Sequence, residues 1–181
     1  GPPSVLSHFA DIDSPINVQK MVSVAEVLED TDRHKIESHF GLTLHQFYSS
    51  TEGEIAATCE YGNLHINEGM MVIQKSWIDE AKGWYNPIIT DFRRTTQPII
   101  RYKLNDILVA PKAKCPCGDA REVINSVMGR SDDMFHLTSN DGGTELVVPD
   151  LIRRAIMQMS NEITAVSYTH LTLPTKNVVV L

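Results

Sequence analysis

The chain has 181 residues, 42% of them hydrophobic, and carries a formal net charge of -7. That length suits one ordinary core, and the acidic balance argues against nucleic acid as a partner, since phosphate-backbone binding needs a basic face. No apolar run approaches the roughly 18 residues of a membrane span, and no basic-then-apolar signal pattern opens the sequence. With three cysteines, two of them one residue apart, a secreted disulfide framework is not expected and the cytoplasm is the expected location.

Taken in chain order, Thr31 to Phe40 is predicted as a short helix. Thr31 is its candidate N-cap, Ile36 and Phe40 share a face, and Gly41 stands where a helix stops. Leu44 to Tyr48 is predicted as a strand leading into a Thr-Glu turn. Short apolar runs then recur at Ile55 to Cys59, Met70 to Ile73, Pro87 to Thr90, Pro98 to Tyr102 and Ile107 to Val109. Strands at that spacing with turn residues between them indicate a β-rich subdomain. Beyond Arg130, Met134 to Ser139 and Thr144 to Val148 flank Asn140-Asp141-Gly142-Gly143, a hairpin signal. Asp150 is then expected to cap a helix with Leu151, Ile152, Ala155, Ile156 and Met159 on one face.

Three polar clusters stand out. They are Tyr48-Ser49-Ser50-Thr51-Glu52-Gly53, then Arg101-Tyr102-Lys103-Leu104-Asn105-Asp106, then Gly129-Arg130-Ser131-Asp132-Asp133. In this order and at these gaps they resemble the adenylate-forming enzymes, specifically the phenylacetate-coenzyme A ligase branch. The resemblance runs from about residue 1 to about residue 165 and takes in Lys20 to Glu26, Leu64 to Glu68 and Cys115-Pro116-Cys117-Gly118. It implies an α/β (α+β) fold: residues 1–128 as part of the large adenylating domain, 129–133 as a hinge, and 134–165 as the start of the small C-terminal domain.

The implied activity is ATP-dependent activation of a small carboxylic acid as an acyl-adenylate, with release of pyrophosphate and then transfer of the acyl group to a thiol, the acceptor being coenzyme A or another acyl acceptor. In-line attack on the α-phosphate needs charge neutralisation and positioning more than it needs a strong base. The resemblance makes Glu52 the magnesium ligand, since a hard cation on phosphates prefers carboxylate oxygen. It makes Thr51 a hydroxyl for the α-phosphate and Tyr48 an aromatic face for adenine. Ser49, also in the nucleotide set, stands where many relatives have glycine.

Asp106 would accept hydrogen bonds from both ribose hydroxyls. Arg130 would meet ribose or phosphate oxygens, and Asp132 would be the pivot of a swinging small domain, with Gly129 giving backbone freedom beside it. Glu26 matches a position lining the nucleotide and acyl region, against a plain solvated helix start. Each cluster taken alone is also compatible with an exposed turn.

Cys59, His65, Cys115 and Cys117 form a second set, which uses every cysteine of the chain. Thiolates with one imidazole suit tetrahedral zinc, and relatives in the phenylacetate branch share these elements, so a structural zinc is expected; three reduced thiols and a capping histidine are the alternative. A non-enzymatic, zinc-stabilised interaction module is the rival reading of the whole chain.

In the family, Gly1-Pro2-Pro3-Ser4 falls inside the large domain, and a Ser/Thr/Gly-rich loop holding the β- and γ-phosphates lies upstream of it. The piece is therefore expected to be an internal fragment, inactive in adenylation alone. Residues 166–181, from Val166-Ser167-Tyr168-Thr169-His170 onward, resemble a translated sequencing adapter rather than native chain.

Overall fold

The computed structural model describes residues 1–12, 17–139, 142–157 and 159. The chain divides into two compact units, Gly1–Val127 and a second beginning at Met128. Among the described residues, no helix is long and apolar enough to cross a membrane.

The first unit opens with helix α1 (Pro3–Asp11), whose Pro3 sits in the first turn, where the missing N–H is not needed. Strand β1 (Met21–Ser23) follows, then helix α2 (Asp30–Phe40) and strand β2 (Leu44–Ser50), which runs parallel to β1 with Met21 beside Leu44. Gly41 ends α2 as the sequence predicts, at φ 65 with its N–H on the Glu37 carbonyl. Thr31 is not the cap. The helix starts one residue earlier, behind Glu29, and no side chain caps it.

Ile36 and Leu44 are fully buried with Met21, and Leu6 and Phe40 pack against them. Two polar contacts pin the helices together: Ser7 Oγ donates to Asp32 at 3.1 Å, and Lys35 pairs with Asp11 at 2.7 Å.

Strands β3 (Gly53–Thr58) and β4 (Leu64–Ile66) extend the sheet antiparallel from β2, and a short β9 (Val123–Ile124) pairs on β4. A second sheet contains β5 (Met71–Asp79), β6 (Trp84–Asp91), β7 (Ile99–Lys103) and β8 (Asp106–Val109), with the start of β10 (Ser126–Arg130) beside β8. Ile55, Leu64, Ile66 and Ile124 from the first sheet and Met71, Tyr85, Ile89 and Leu108 from the second form one buried cluster. Each such side chain contributes about 1.5–3 kcal/mol by leaving water.

The strand predicted at Pro87 to Thr90 extends over Trp84–Asp91, so that the proline sits inside it. β6 meets β8 at Trp84 and Tyr85 and meets β7 at Ile88 and Ile89. Pro87 falls where the partner changes. Its carbonyl accepts Leu104 N at 2.9 Å. A residue's N–H and C=O leave a strand on the same side, so the missing donor faces this junction, and the ladder to β5 loses nothing.

The second unit contains a 3₁₀ turn (Ser131–Asp133), the hairpin β11 (Phe135–Thr138) with β12 (Thr144–Val147), and helix α3 (Pro149–Met157). Asn140 and Asp141 of the expected hairpin turn lie outside the described residues, as do 160–181. Asp150 is not an N-cap. It lies in the first turn of α3, buried, and pairs with Arg154 at 2.9 Å. On the predicted apolar face Ile152 and Ile156 are half-buried, whereas Leu151 and Ala155 are exposed.

Candidate nucleotide site and four-ligand cluster

β2 and β3 meet in a hairpin whose register slips between Tyr48 and Ser49. A bulge there adds twist and re-aims the strand end. Ser50 pairs with Gly53, leaving Thr51 and Glu52 as a two-residue loop. Hairpin loops of that length favour positive φ at one or both central residues, yet neither Thr51 nor Glu52 has one. Other contacts hold the turn: Glu52 N donates to Ser50 Oγ at 3.2 Å, and Arg94 Nη2 donates to the Thr51 carbonyl at 2.7 Å. Thr51 and Ser49 are exposed and Glu52 is half-buried.

Tyr48 reaches across 58 residues of sequence, its hydroxyl donating to Asp106 Oδ2 at 2.5 Å. Burial, and next the Asp106 carboxylate, push the phenol well above its ordinary pKa, so it remains a donor. Asp106 opens β8, held by Asn86 Nδ2, which donates to its carbonyl at 2.9 Å. The structure thus joins the first two polar clusters. It also gives Tyr48 a role that the sequence did not suggest, since the phenol orients the carboxylate. Asp106 Oδ1 has no partner among the described residues.

Arg130 and Asp132 belong to the second unit, where both are exposed. Gly129 takes φ 99, a left-handed value that favours glycine, and Arg130 leads directly into the 3₁₀ turn containing Asp132. Glu26 is engaged locally, accepting from Ser4 N at 3.3 Å and from Ser4 Oγ at 3.1 Å at the start of α1. Ala25 beside it is held at φ 73, a strained value for alanine.

The four ligand atoms of Cys59, His65, Cys115 and Cys117 lie within 4.8 Å of one another. Cys59 Sγ is 3.7 Å from Cys115 Sγ, and Cys117 Sγ is 3.4 Å from His65 Nε2. The fully buried His65 has Nδ1 3.2 Å from the Arg121 carbonyl. An Nδ1–H donating there leaves Nε2 as the free lone pair facing the thiols, the tautomer a metal requires.

Asn63 Nδ2 donates to Cys115 Sγ at 3.2 Å, and Asp119 N to Cys117 Sγ at 3.4 Å. The Cys117 amide, with help from His65 and Asn63, lowers the Cys115 thiol to about 6. The Asp119 amide acts the same way on Cys117, but burial and the neighbouring thiols outweigh it and push that thiol up to about 11. One thiolate is easily formed and the next is resisted by it, as expected when cysteine side chains converge. The donor set, the convergence and the outer hydrogen bonds fit tetrahedral zinc.

Sequence reasoning missed Asp91, Arg94 and Asn86. The acid followed by two arginines in Asp91-Phe92-Arg93-Arg94 was a signal for a local ion pair.

No protein-family model and no curated protein matches the sequence. Solved structures do match the fold. An open conformation of 2-hydroxyisobutyryl-CoA ligase, in complex with 2-HIB-AMP and CoA, superposes with TM-score 0.68 at 23% identity over 88% of this chain and 41% of that one. A benzoate CoA ligase from Burkholderia xenovorans gives 0.56 at 17% identity, over 87% of this chain and 34% of that one. Coronafacic acid ligase from Pectobacterium brasiliense gives 0.56 at 16% identity over 87% and 33%. The mixed α/β fold is therefore shared with part of these ligases, and the chain spans about two fifths of the first structure's length.

Proposed function

We propose that this chain is part of an ATP-dependent acid–thiol ligase of the phenylacetate-coenzyme A ligase branch. In that reaction a carboxylate oxygen attacks the α-phosphorus of ATP and pyrophosphate leaves. A thiol, that of coenzyme A on this reading, then attacks the acyl carbon and AMP leaves. The observation that carries the reading is the Tyr48–Asp106 contact at 2.5 Å, which unites two polar clusters distant in sequence within a ligase-like fold.

Each residue's work follows from its place. Tyr48 orients Asp106, offering Oδ1 to a ribose hydroxyl, and its ring is the aromatic face for adenine. Thr51, exposed at the hairpin tip, contacts the α-phosphate. Glu52 is the carboxylate for magnesium, which when bound neutralises phosphate charge. Arg130 meets ribose or phosphate oxygen, and Asp132 is the pivot between the two half-reactions.

Cys59, His65, Cys115 and Cys117 hold a structural zinc, supported by their convergence within 4.8 Å. Bound there, the ion would tie the end of β3 and β4 to the Cys115–Gly118 loop, and four protein ligands leave no open position for catalysis.

The complete gene product, supplied with Mg·ATP and a panel of small carboxylic acids, is expected to release pyrophosphate with at least one acid. Adenosine and AMP are expected to bind it in calorimetry. No binding of either adenosine or AMP and no acid-dependent release would overturn the reading in favour of a zinc-stabilised interaction module.

A further inference from the structure

The hairpin turn of the candidate nucleotide site rests on a buried carboxylate that has no part in the roles above. Asp91 ends β6 with its side chain 1% exposed. Its Oδ1 accepts Arg93 N at 2.7 Å, and Oδ2 has no hydrogen-bond partner. Oδ2 instead points at the turn. A Cβ on Gly53 would come within 3.1 Å of it, so glycine at this position is what lets the carboxylate approach the backbone.

The Nε atoms of Arg93 and Arg94 each lie 3.9 Å from the Asp91 carboxylate. Arg94 also donates from Nη2 to the Thr51 carbonyl at 2.7 Å. One guanidinium therefore pairs by charge with the buried anion at 3.9 Å and hydrogen-bonds the turn that carries Thr51 and Glu52. That turn is an unprimed two-residue loop, poorly matched to strand twist, so it depends on outside support.

We infer that Asp91 and Arg94 form a brace that positions the Thr51–Glu52 turn for the phosphate and magnesium end of the nucleotide, while leaving the adenosine end to Tyr48 and Asp106. The inference rests on the ligase reading for its ligand and on geometry alone for the brace. Asp91 holds the guanidinium near the turn by charge across 3.9 Å, since a buried carboxylate left without its cation is strongly destabilising. The guanidinium fixes the Thr51 carbonyl and with it the direction of the two side chains at the tip. Both are positioning residues.

Two measurements separate the brace from the ligase reading. In the nucleotide-free 181-residue chain, Arg94→Ala is expected to speed hydrogen exchange at the Glu52 and Gly53 amides at least fivefold, with exchange in β5 unchanged. Equal exchange in wild type and variant overturns the brace whatever the ligand proves to be. In the complete gene product, Arg94→Ala and Asp91→Asn are expected to weaken Mg·ATP binding about tenfold and adenosine binding less than twofold, with Arg94→Lys recovering part of the loss. Parallel loss of both ligands would mark Arg94 as merely structural and overturn the proposal. A wild-type protein that binds neither ligand would sink the ligase reading, leaving the exchange result to decide the brace.

Discussion

Replacing Tyr48 by phenylalanine removes a single oxygen from the contact on which the nucleotide site is built. The phenol donates to an ionised carboxylate at 2.5 Å, and a hydrogen bond to a charged partner contributes about 1.5–3 kcal/mol. Tyr48→Phe is accordingly expected to lower the stability of the first unit by about 2 kcal/mol at pH 8.

The gap should also depend on pH, with a sign set by the direction of the shift. Burial first, and the Asp106 carboxylate second, raise the phenol above its ordinary value of 10.0. The folded state keeps this proton where the unfolded chain loses it, so the contribution is fully present below pH 10 and declines as the pH rises further. At pH 11 the unfolded phenol is about tenfold more ionised than neutral, which removes about 1.4 kcal/mol from wild type and nothing from the variant. Tyr85, raised by its own burial and then by Glu122, adds the same slope to both proteins and cancels in the difference. Urea unfolding followed by tryptophan fluorescence is a suitable assay, because Trp77 and Trp84 are the chain's two tryptophans and both lie in the first unit. A gap that is absent at pH 8, or identical at pH 8 and pH 11, would refute the reasoning.

Three further outcomes follow from the same geometry. Asp106→Asn in the complete gene product should weaken ATP binding roughly 10- to 100-fold, from about 1.5–3 kcal/mol of charged hydrogen bonding lost; unchanged affinity in calorimetry would remove Asp106 from the site. Protein purified without chelator should contain about one equivalent of zinc, and Cys117→Ser should lower both metal content and melting temperature; a metal-free wild type with three freely titrating thiols would refute the cluster. Gly53→Ala should destabilise the first unit by about 1–3 kcal/mol, since the added methyl would stand 3.1 Å from Asp91 Oδ2 and 3.2 Å from Met71 Cε; an unchanged urea midpoint would show that the turn has room to shift.

What could be read in advance from the sequence depended on whether a residue's chemistry announced its partner. Cysteines and histidines are the side chains zinc prefers, so four of them at unrelated spacings already suggested one cluster, and the folded chain brings their ligand atoms within 4.8 Å. Gly41 announced itself because few other residues accept φ 65 at a helix end. Carboxylates and arginines announce much less, because most of them are solvated. The Asp91-Phe92-Arg93-Arg94 pattern signalled no more than a local ion pair, of the kind a wet surface also holds, and only the register that places Asp91 opposite Met71, beneath the hairpin tip, gives Asp91 and Arg94 a role.

Pro87 and Tyr48 mark the same limit from two directions. A proline demotes a strand only if its missing N–H faces a partner, and which side it faces is decided by where β7 ends and β8 begins, a tertiary fact. Tyr48 was legible as an aromatic beside a Thr-Glu turn, but its hydroxyl found Asp106 through the pairing of β6 with β8 and the hold of Asn86 on the Asp106 carbonyl. Local chemistry therefore named the candidates, while the sheet, by setting which strand ends lie side by side, decided which of them meet.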